Sequence, residues 1–200
     1  MNPDEVRRRW AEWSGEFSPA YYAYRGPDDT SEAVRAALER FLDGEPSVLE
    51  LGCGSGRHLA HLHEHGYREL AGIDLNGEAF EVMADSYPAL AAAGTFHRDS
   101  VEGALPGFDD DAFDAVFAVE TLQHVHPEAA WVFDEVARVT GDLLVTAEIE
   151  DGTADGDVNY VNGEVPLYYR DWGAVFGERG LREVAVTTVG RDTVRAFRPA

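Results

Sequence analysis

Two hundred residues with 44% hydrophobic side chains suffice for one domain with a full core. Acidic residues number 38 against 16 basic ones, every basic residue is arginine, and the net charge is −22, which makes a poor docking surface for nucleic acid or an anionic membrane. No apolar run approaches about 18 residues, no signal-peptide core opens the chain, and Cys53 has no disulfide partner, so a cytoplasmic chain with no membrane span is expected.

Residues 1–45 read as helices. Asn2 caps a first helix begun by Pro3 and the acids Asp4 and Glu5, and this helix carries Trp10 and Trp13. An aromatic segment follows with Phe17, Tyr21, Tyr22 and Tyr24, then a second helix over Ser31–Leu42 with Val34, Leu38, Phe41 and Leu42 on one face.

The chain then changes character. Val48, Leu49 and Leu51 form a short apolar run suited to a strand buried on both faces. Gly52, Gly54 and Gly56 break it, and Arg57–His65 reads as a helix closed by Gly66. Strand, glycine turn and helix make the first unit of a doubly wound sheet, whose ligand lies beyond the strands' carboxyl ends. The spacing is G-x-G-x-G, and Arg57 stands where a dinucleotide fingerprint has its last glycine. Glu50 would repel a pyrophosphate and attract an ammonium group. An amino-acid-bearing nucleoside therefore fits this turn better than a dinucleotide.

The E-x-G-x-G-x-G stretch after an apolar strand resembles motif I of class I S-adenosylmethionine-dependent methyltransferases. The resemblance implies a Rossmann-like α/β fold: a doubly wound, mostly parallel sheet with helices on both faces and a C-terminal antiparallel strand pair. It implies S-adenosyl-L-methionine as cofactor, held by Glu50 and by the loop of Gly52, Cys53, Gly54 and Gly56. Cys53 reads as a small filler there, not a nucleophile. The family's N-terminal segment often covers the cofactor, so residues 1–45 are expected as a helical cap on a methyltransferase domain at 46–200, the whole forming a single globular unit. Tyr21, Tyr22 and Tyr24 are the candidates for an acceptor pocket, and Arg25 reads as a surface arginine.

Glu69–Asp74 reads as the second strand. Asp74 can accept from both ribose hydroxyls, with Leu75 against adenine and Asn76 capping a helix that ends near Tyr87. Thr95–Arg98 is the third strand. By the resemblance, Asp99 would accept from the adenine amino group and Ser100 would donate a backbone amide; a helix cap over Val101–Leu105 is the plainer role for Asp99. Phe113–Val119 is the fourth strand. Glu120 to His126 then resembles motif IV of small-molecule methyltransferases, placing Glu120 near the sulfonium. His124 is either a general base or an orienting histidine bonded to backbone, the latter favoured about two to one on the general scarcity of catalytic histidines.

Pro127 begins a helix with Trp131, Val132, Val136 and Val139 inward, and Asp142–Ile149 is the fifth strand. A long polar loop is expected over Glu150–Val165. Asp155 to Asn159 resembles the start of a calcium loop, but Tyr160 and Pro166 replace its glycine and terminal acid, so that reading fails. Asp171–Gly180 is a last helix with Trp172 and Phe176 inward, before β segments at Val184–Val189 and Thr193–Phe197. His58, His61, His63 and His65 crowd one helix, read as a solvated polar face, and no metal site is expected. The excess of acids with no lysine and few isoleucines resembles proteins of salt-accumulating halophiles. The expected activity is in-line methyl transfer to a nucleophile on a small molecule. A non-catalytic S-adenosylmethionine-binding subunit and an NAD-dependent oxidoreductase are the rival readings, and oligomeric state stays open.

Overall fold

The computed structural model describes residues 1–150 and 158–200. The chain opens with α1 (Pro3–Ala11), α2 (Pro19–Arg25) and α3 (Asp29–Phe41). Asn2 accepts the Glu5 amide while the Glu5 carboxylate accepts the Asn2 amide, satisfying two orphan donors at once. Ser18 caps α2. α3 starts two residues before the expected Ser31, because Asp28 takes the amides of both Thr30 and Ser31.

The body follows: β1 (Val48–Leu51), α4 (Arg57–Glu64), β2 (Leu70–Asp74), α5 (Gly77–Ser86), α6 (Pro88–Ala93), β3 (Thr95–Arg98), α7 (Val101–Ala104), β4 (Phe113–Val119), α8 (Val132–Val139) and β5 (Thr140–Ile149). A hairpin, β6 (Val158–Val161) and β7 (Val165–Tyr168), precedes α9 (Trp172–Gly177), β8 (Leu181–Val189) and β9 (Asp192–Pro199). The main sheet runs β3-β2-β1-β4-β5-β9-β8. Pairs among its first five strands are parallel, while β9 is antiparallel to β5 and to β8. This is the doubly wound, mostly parallel Rossmann-like sheet with a C-terminal antiparallel pair expected from the sequence.

Strand order reverses on either side of β1, where Val48 lies between Leu70 and Ala115. Chain leaving the carboxyl ends of β1 and β4 therefore diverges and opens a crevice. One sheet face is sealed by α8 and α9, where Phe133 meets Trp172 edge-on at 5.4 Å. The other is sealed by α4 and α3, whose Val34 and Leu38 are buried. Of residues 1–45, α3 thus belongs to the helical layer, while α1 and α2 contribute to the crevice.

Several expectations need correction. Trp131 is 46% exposed, not inward. A single 3-10 turn over Pro127–Ala129 delays α8 to Val132, and the change of phase gives the core position to Phe133. The stretch expected as loop contains β6, which pairs with β7 across Asn162-Gly163; both residues have positive φ, as a type I′ turn requires. Residues 151–157, which include Asp155, Gly156 and Asp157 of the rejected calcium-loop reading, lie outside the described residues. No described helix is long and apolar enough to cross a membrane.

Candidate active site

A cavity of about 610 Å³ lies at the carboxyl ends of β1, β2, β4 and β5, beneath residues of α1, α2 and the β6–β7 hairpin. Glu50, Gly52, Cys53, Gly54, Asp74, Leu75, Glu120 and His124 line it together. Residues separated by 74 positions in the chain are thus brought to one wall by the sheet register.

The glycine turn is built by three left-handed residues, with φ of 67° at Gly52, 51° at Gly54 and 77° at Gly56. Their roles differ. A Cβ on Gly52 would fall within the Thr121 side chain, so that glycine lets the β4 loop close against the turn. A Cβ on Gly54 would meet open space. Gly56 does not line the cavity; a Cβ there would come 2.8 Å from Met83 Cε, which makes it a packing residue. Cys53 is buried, its thiol pushed well up by burial, and it leaves no room for a Cβ on Gly72.

Asp74 ties the turn down. Its Oδ2 accepts the Gly54 amide at 2.8 Å and its Oδ1 the Asn76 amide at 2.8 Å. Burial raises the carboxyl's pKa against the pull of these two amides. Asn76 caps α5 and also donates to the Trp13 carbonyl, joining α1's following turn to β2.

Glu50 is 1% exposed, and its Oε2 has no hydrogen-bond partner among the described residues. Burial pushes its pKa well up, opposed by the Arg57 guanidinium. A buried carboxylate oxygen left without a partner is costly. The same oxygen beside an ammonium group would be compensated, so the site fits a ligand bearing one.

Asp99 and Ser100 do not line the cavity, whereas Val101 and Glu102 do. The α7 cap is Ser100, which accepts the Gly103 amide, and not Asp99, which accepts the Ser100 amide at 2.7 Å. Tyr22 lines the cavity; Tyr21 does not, and Tyr24 is 94% exposed and faces away from any pocket wall. The short α2 helix has room for one inward tyrosine. Arg25 bonds the Tyr21 hydroxyl at 3.1 Å on the exposed surface.

Glu120 follows β4 with φ of 47°, and its Oε1 accepts from Arg191 Nε at 3.1 Å and Nη2 at 2.8 Å. His124 is half-buried in the cavity wall, with its ring 4.6 Å from that of Trp10. Its Nδ1 is 3.1 Å from the Pro166 carbonyl, which can only accept, so Nδ1 carries the proton. Nε2 keeps the lone pair and has no partner among the described residues. Burial holds this imidazole down at about 4, hence neutral near pH 7.

Two functional features escaped the sequence. Glu148, fully buried on β5, accepts the amides of Thr121, Leu122 and Gln123 and so shapes the turn that carries His124. An acid inside the strand run Leu-Leu-Val-Thr-Ala-Glu-Ile was the available signal. Arg57 pairs with Asp28 and lies 4.7 Å over the Tyr22 ring. The histidines of α4 divide: His58 is buried against Ser31 Oγ at 2.7 Å, correcting its solvated reading, while His61 bonds Glu32 at the surface. Among the described residues no three His, Cys, Asp or Glu groups gather as a metal-holding cluster.

Comparison with known proteins agrees with this geometry. A family model described as a methyltransferase domain matches residues 48–142. An O-methyltransferase from Pyrenophora dematioidea is 25% identical over 147 residues, covering 67% of this chain and 55% of that protein. Another, from Penicillium expansum, is 26% identical over 143 residues, covering 68% and 51%. The chain spans about half the length of the curated relatives it matches. Two solved structures, each 17% identical, share the fold. One is a Burkholderia thailandensis 1,6-didemethyltoxoflavin-N1-methyltransferase with bound S-adenosylhomocysteine, with a TM-score of 0.70 over 100% of this chain and 91% of that one. The other is a Haloferax volcanii putative methyltransferase in complex with the Trm112 methyltransferase activator, with a TM-score of 0.74 over 98% of both chains. The family match runs from the first sheet strand past the turn that carries His124, so residues 48–142 are similar to a methyltransferase domain, and the chain shares the fold of solved S-adenosylmethionine-dependent methyltransferases.

Proposed function

We propose that the chain is an S-adenosylmethionine-dependent methyltransferase that acts on an oxygen of a small molecule. The observation that carries the reading is Glu50: a buried carboxylate behind a glycine turn, with its Oε2 unpartnered among the described residues, suited to an ammonium and hostile to a diphosphate. Asp74, with lone pairs left on both oxygens, would take the ribose hydroxyls. Leu75, Val101 and Glu102 would take the adenine, since Asp99 and Ser100 stand outside the cavity. The two O-methyltransferase relatives support an oxygen acceptor, and the acid surface supports a small molecule over nucleic acid. The same acid excess without lysine fits a salt-rich cytoplasm, which we read as the habitat.

When bound, the sulfonium donor supplies an electrophilic methyl and leaves as a neutral thioether. The residues of the chain align the partners and exclude water, and alignment alone can supply about 7–11 kcal/mol of the barrier. His124 Nε2 takes the acceptor's proton and passes it to solvent. A hydroxyl becomes strongly acidic as its new bond to carbon forms, so even a weak base suffices, and a low pKa keeps the imidazole ready.

Calorimetric titration with S-adenosylhomocysteine in high potassium chloride tests the reading. Saturable binding is expected, strongly weakened in Asp74→Ala and Glu50→Gln; unchanged binding in both variants would sink it. A labelled-methyl screen of small alcohols and phenols then reports activity. The Haloferax volcanii neighbour, solved with an activator, favours one second reading: a binding subunit that turns over only with a partner chain. That reading is separated by normal S-adenosylhomocysteine binding with no methyl transfer until a partner is added.

A further inference from the structure

Resting on that methyltransferase reading, we infer that the acceptor is an uncharged planar aromatic alcohol, held flat between Trp10 and the tyrosines of the β6–β7 hairpin region. The cavity divides by topology. Its β1 and β2 side carries Glu50, the glycine turn and Asp74. The remaining side lies beyond β4 and β5, where the lining includes Trp10, Tyr22, Ile149, Tyr160, Leu167 and Tyr169 beside the polar Asn159 and Asn162. Four of these are rings, which bury flat partners well and stack on them.

Charge decides the rest. Glu120 is engaged twice by Arg191, and Glu150 is held by Arg195 through bonds of 2.8 and 2.7 Å. On the other approaches Arg7 is paired with Asp4 and Glu102, and Arg57 with Asp28. Among the described residues, every arginine lining the cavity already has its carboxylate. A carboxylate or phosphate on the acceptor would lose its water and find no uncommitted cation. An ammonium would meet carboxylates whose charge Arg191 and Arg195 already balance, and so gain little for the water it loses. A neutral ring meets neither cost. Its hydroxyl would be the group presented to His124 Nε2, the lone pair left over by the Nδ1 bond to Pro166. In the transfer the hydroxyl oxygen gains the methyl, its proton goes to Nε2, and the electron pair of the broken C–S bond stays on sulfur.

The test is calorimetry on the full chain saturated with S-adenosylhomocysteine, using three probes of one shape: 2-naphthol, 2-naphthoate and 2-naphthylmethylammonium. Saturable binding of 2-naphthol is expected, with each charged probe at least tenfold weaker. Trp10→Ala and the exposed Tyr160→Ala should each weaken 2-naphthol about fivefold or more, with S-adenosylhomocysteine affinity retained. The proposal is overturned if a charged probe binds as tightly as 2-naphthol, if no probe binds to the saturated protein, or if neither variant changes 2-naphthol binding. Failure of S-adenosylhomocysteine itself to bind would overturn the methyltransferase reading instead.

Discussion

Gln123 gives its amide to Glu148 Oε2 at 3.2 Å, and its side-chain oxygen takes the Ile149 amide at 3.0 Å. Together with the Thr121 and Leu122 amides on Glu148 Oε1, these bonds fix the irregular turn after β4 to the end of β5. Among the described residues nothing else accepts from these three amides. Glu148→Ala should therefore leave three amides unsatisfied and destabilise the fold by about 3 kcal/mol or more. Glu148→Gln keeps one accepting oxygen and should cost clearly less. Urea unfolding of both variants checks this, and equal midpoints would contradict it.

The glycine turn offers a separation of folding from binding. Gly52→Ala should damage both, because its Cβ collides with Thr121 in a left-handed residue. At Gly54 the free protein has open space, so Gly54→Ala should cost only the left-handed backbone penalty of about 1–2 kcal/mol. Its affinity for S-adenosylhomocysteine should nonetheless fall at least tenfold. Thermal melts beside calorimetry resolve the two effects.

Acid and base limits to stability should trace to different residues. Burial holds His124 at about 4 and His58 at about 3, against an ordinary 6.5. Each binds fewer protons folded than unfolded in that interval, so their contribution is intact above 6.5 and is lost as pH falls toward 4. Glu148 is pushed by burial from 4.5 to about 8 and binds more protons folded, so stability falls as pH rises across that span. Urea midpoints from pH 4.5 to 8 should flatten on the acid side in His124→Asn and on the alkaline side in Glu148→Gln. Unchanged slopes in both would refute the assignment.

Binding should also release a proton. Burial keeps Glu50 well above the ordinary carboxylate range in the free protein, and an ammonium beside it favours the ionised form. The complex then binds fewer protons than its parts, so affinity for S-adenosylhomocysteine should rise with pH. Calorimetry in buffers of different ionisation enthalpy measures the release directly. Glu50→Gln should abolish it.

The sheet and the first turn were legible because they are local. Apolar runs of four to seven residues, three alternate glycines and an acid closing β2 each sit within one stretch of chain. What was missed depends on partners far apart. Glu148 and the turn it organises are separated by 25 to 27 positions, and nothing in either stretch names the other. Trp131 was misplaced because one 3-10 turn breaks the helical phase, which an apolar pattern cannot register. The Asn162-Gly163 turn was readable in principle, as the start of a three-residue connection between Val161 and Val165. Polar composition around it masked the alternation. Among the tyrosines of α2, composition announced a pocket but could not say which ring faces it.

Arg57 stands at the first position of α4, directly after the glycine turn, yet its guanidinium reaches Asp28, the Gly26 carbonyl and the Tyr22 ring. Asp28 in turn is the residue that starts α3. One guanidinium thus ties the floor of the crevice to α2 through Tyr22 and to the start of α3 through Asp28. Whatever loosens that one guanidinium therefore loosens the crevice floor and the Tyr22 wall above it together.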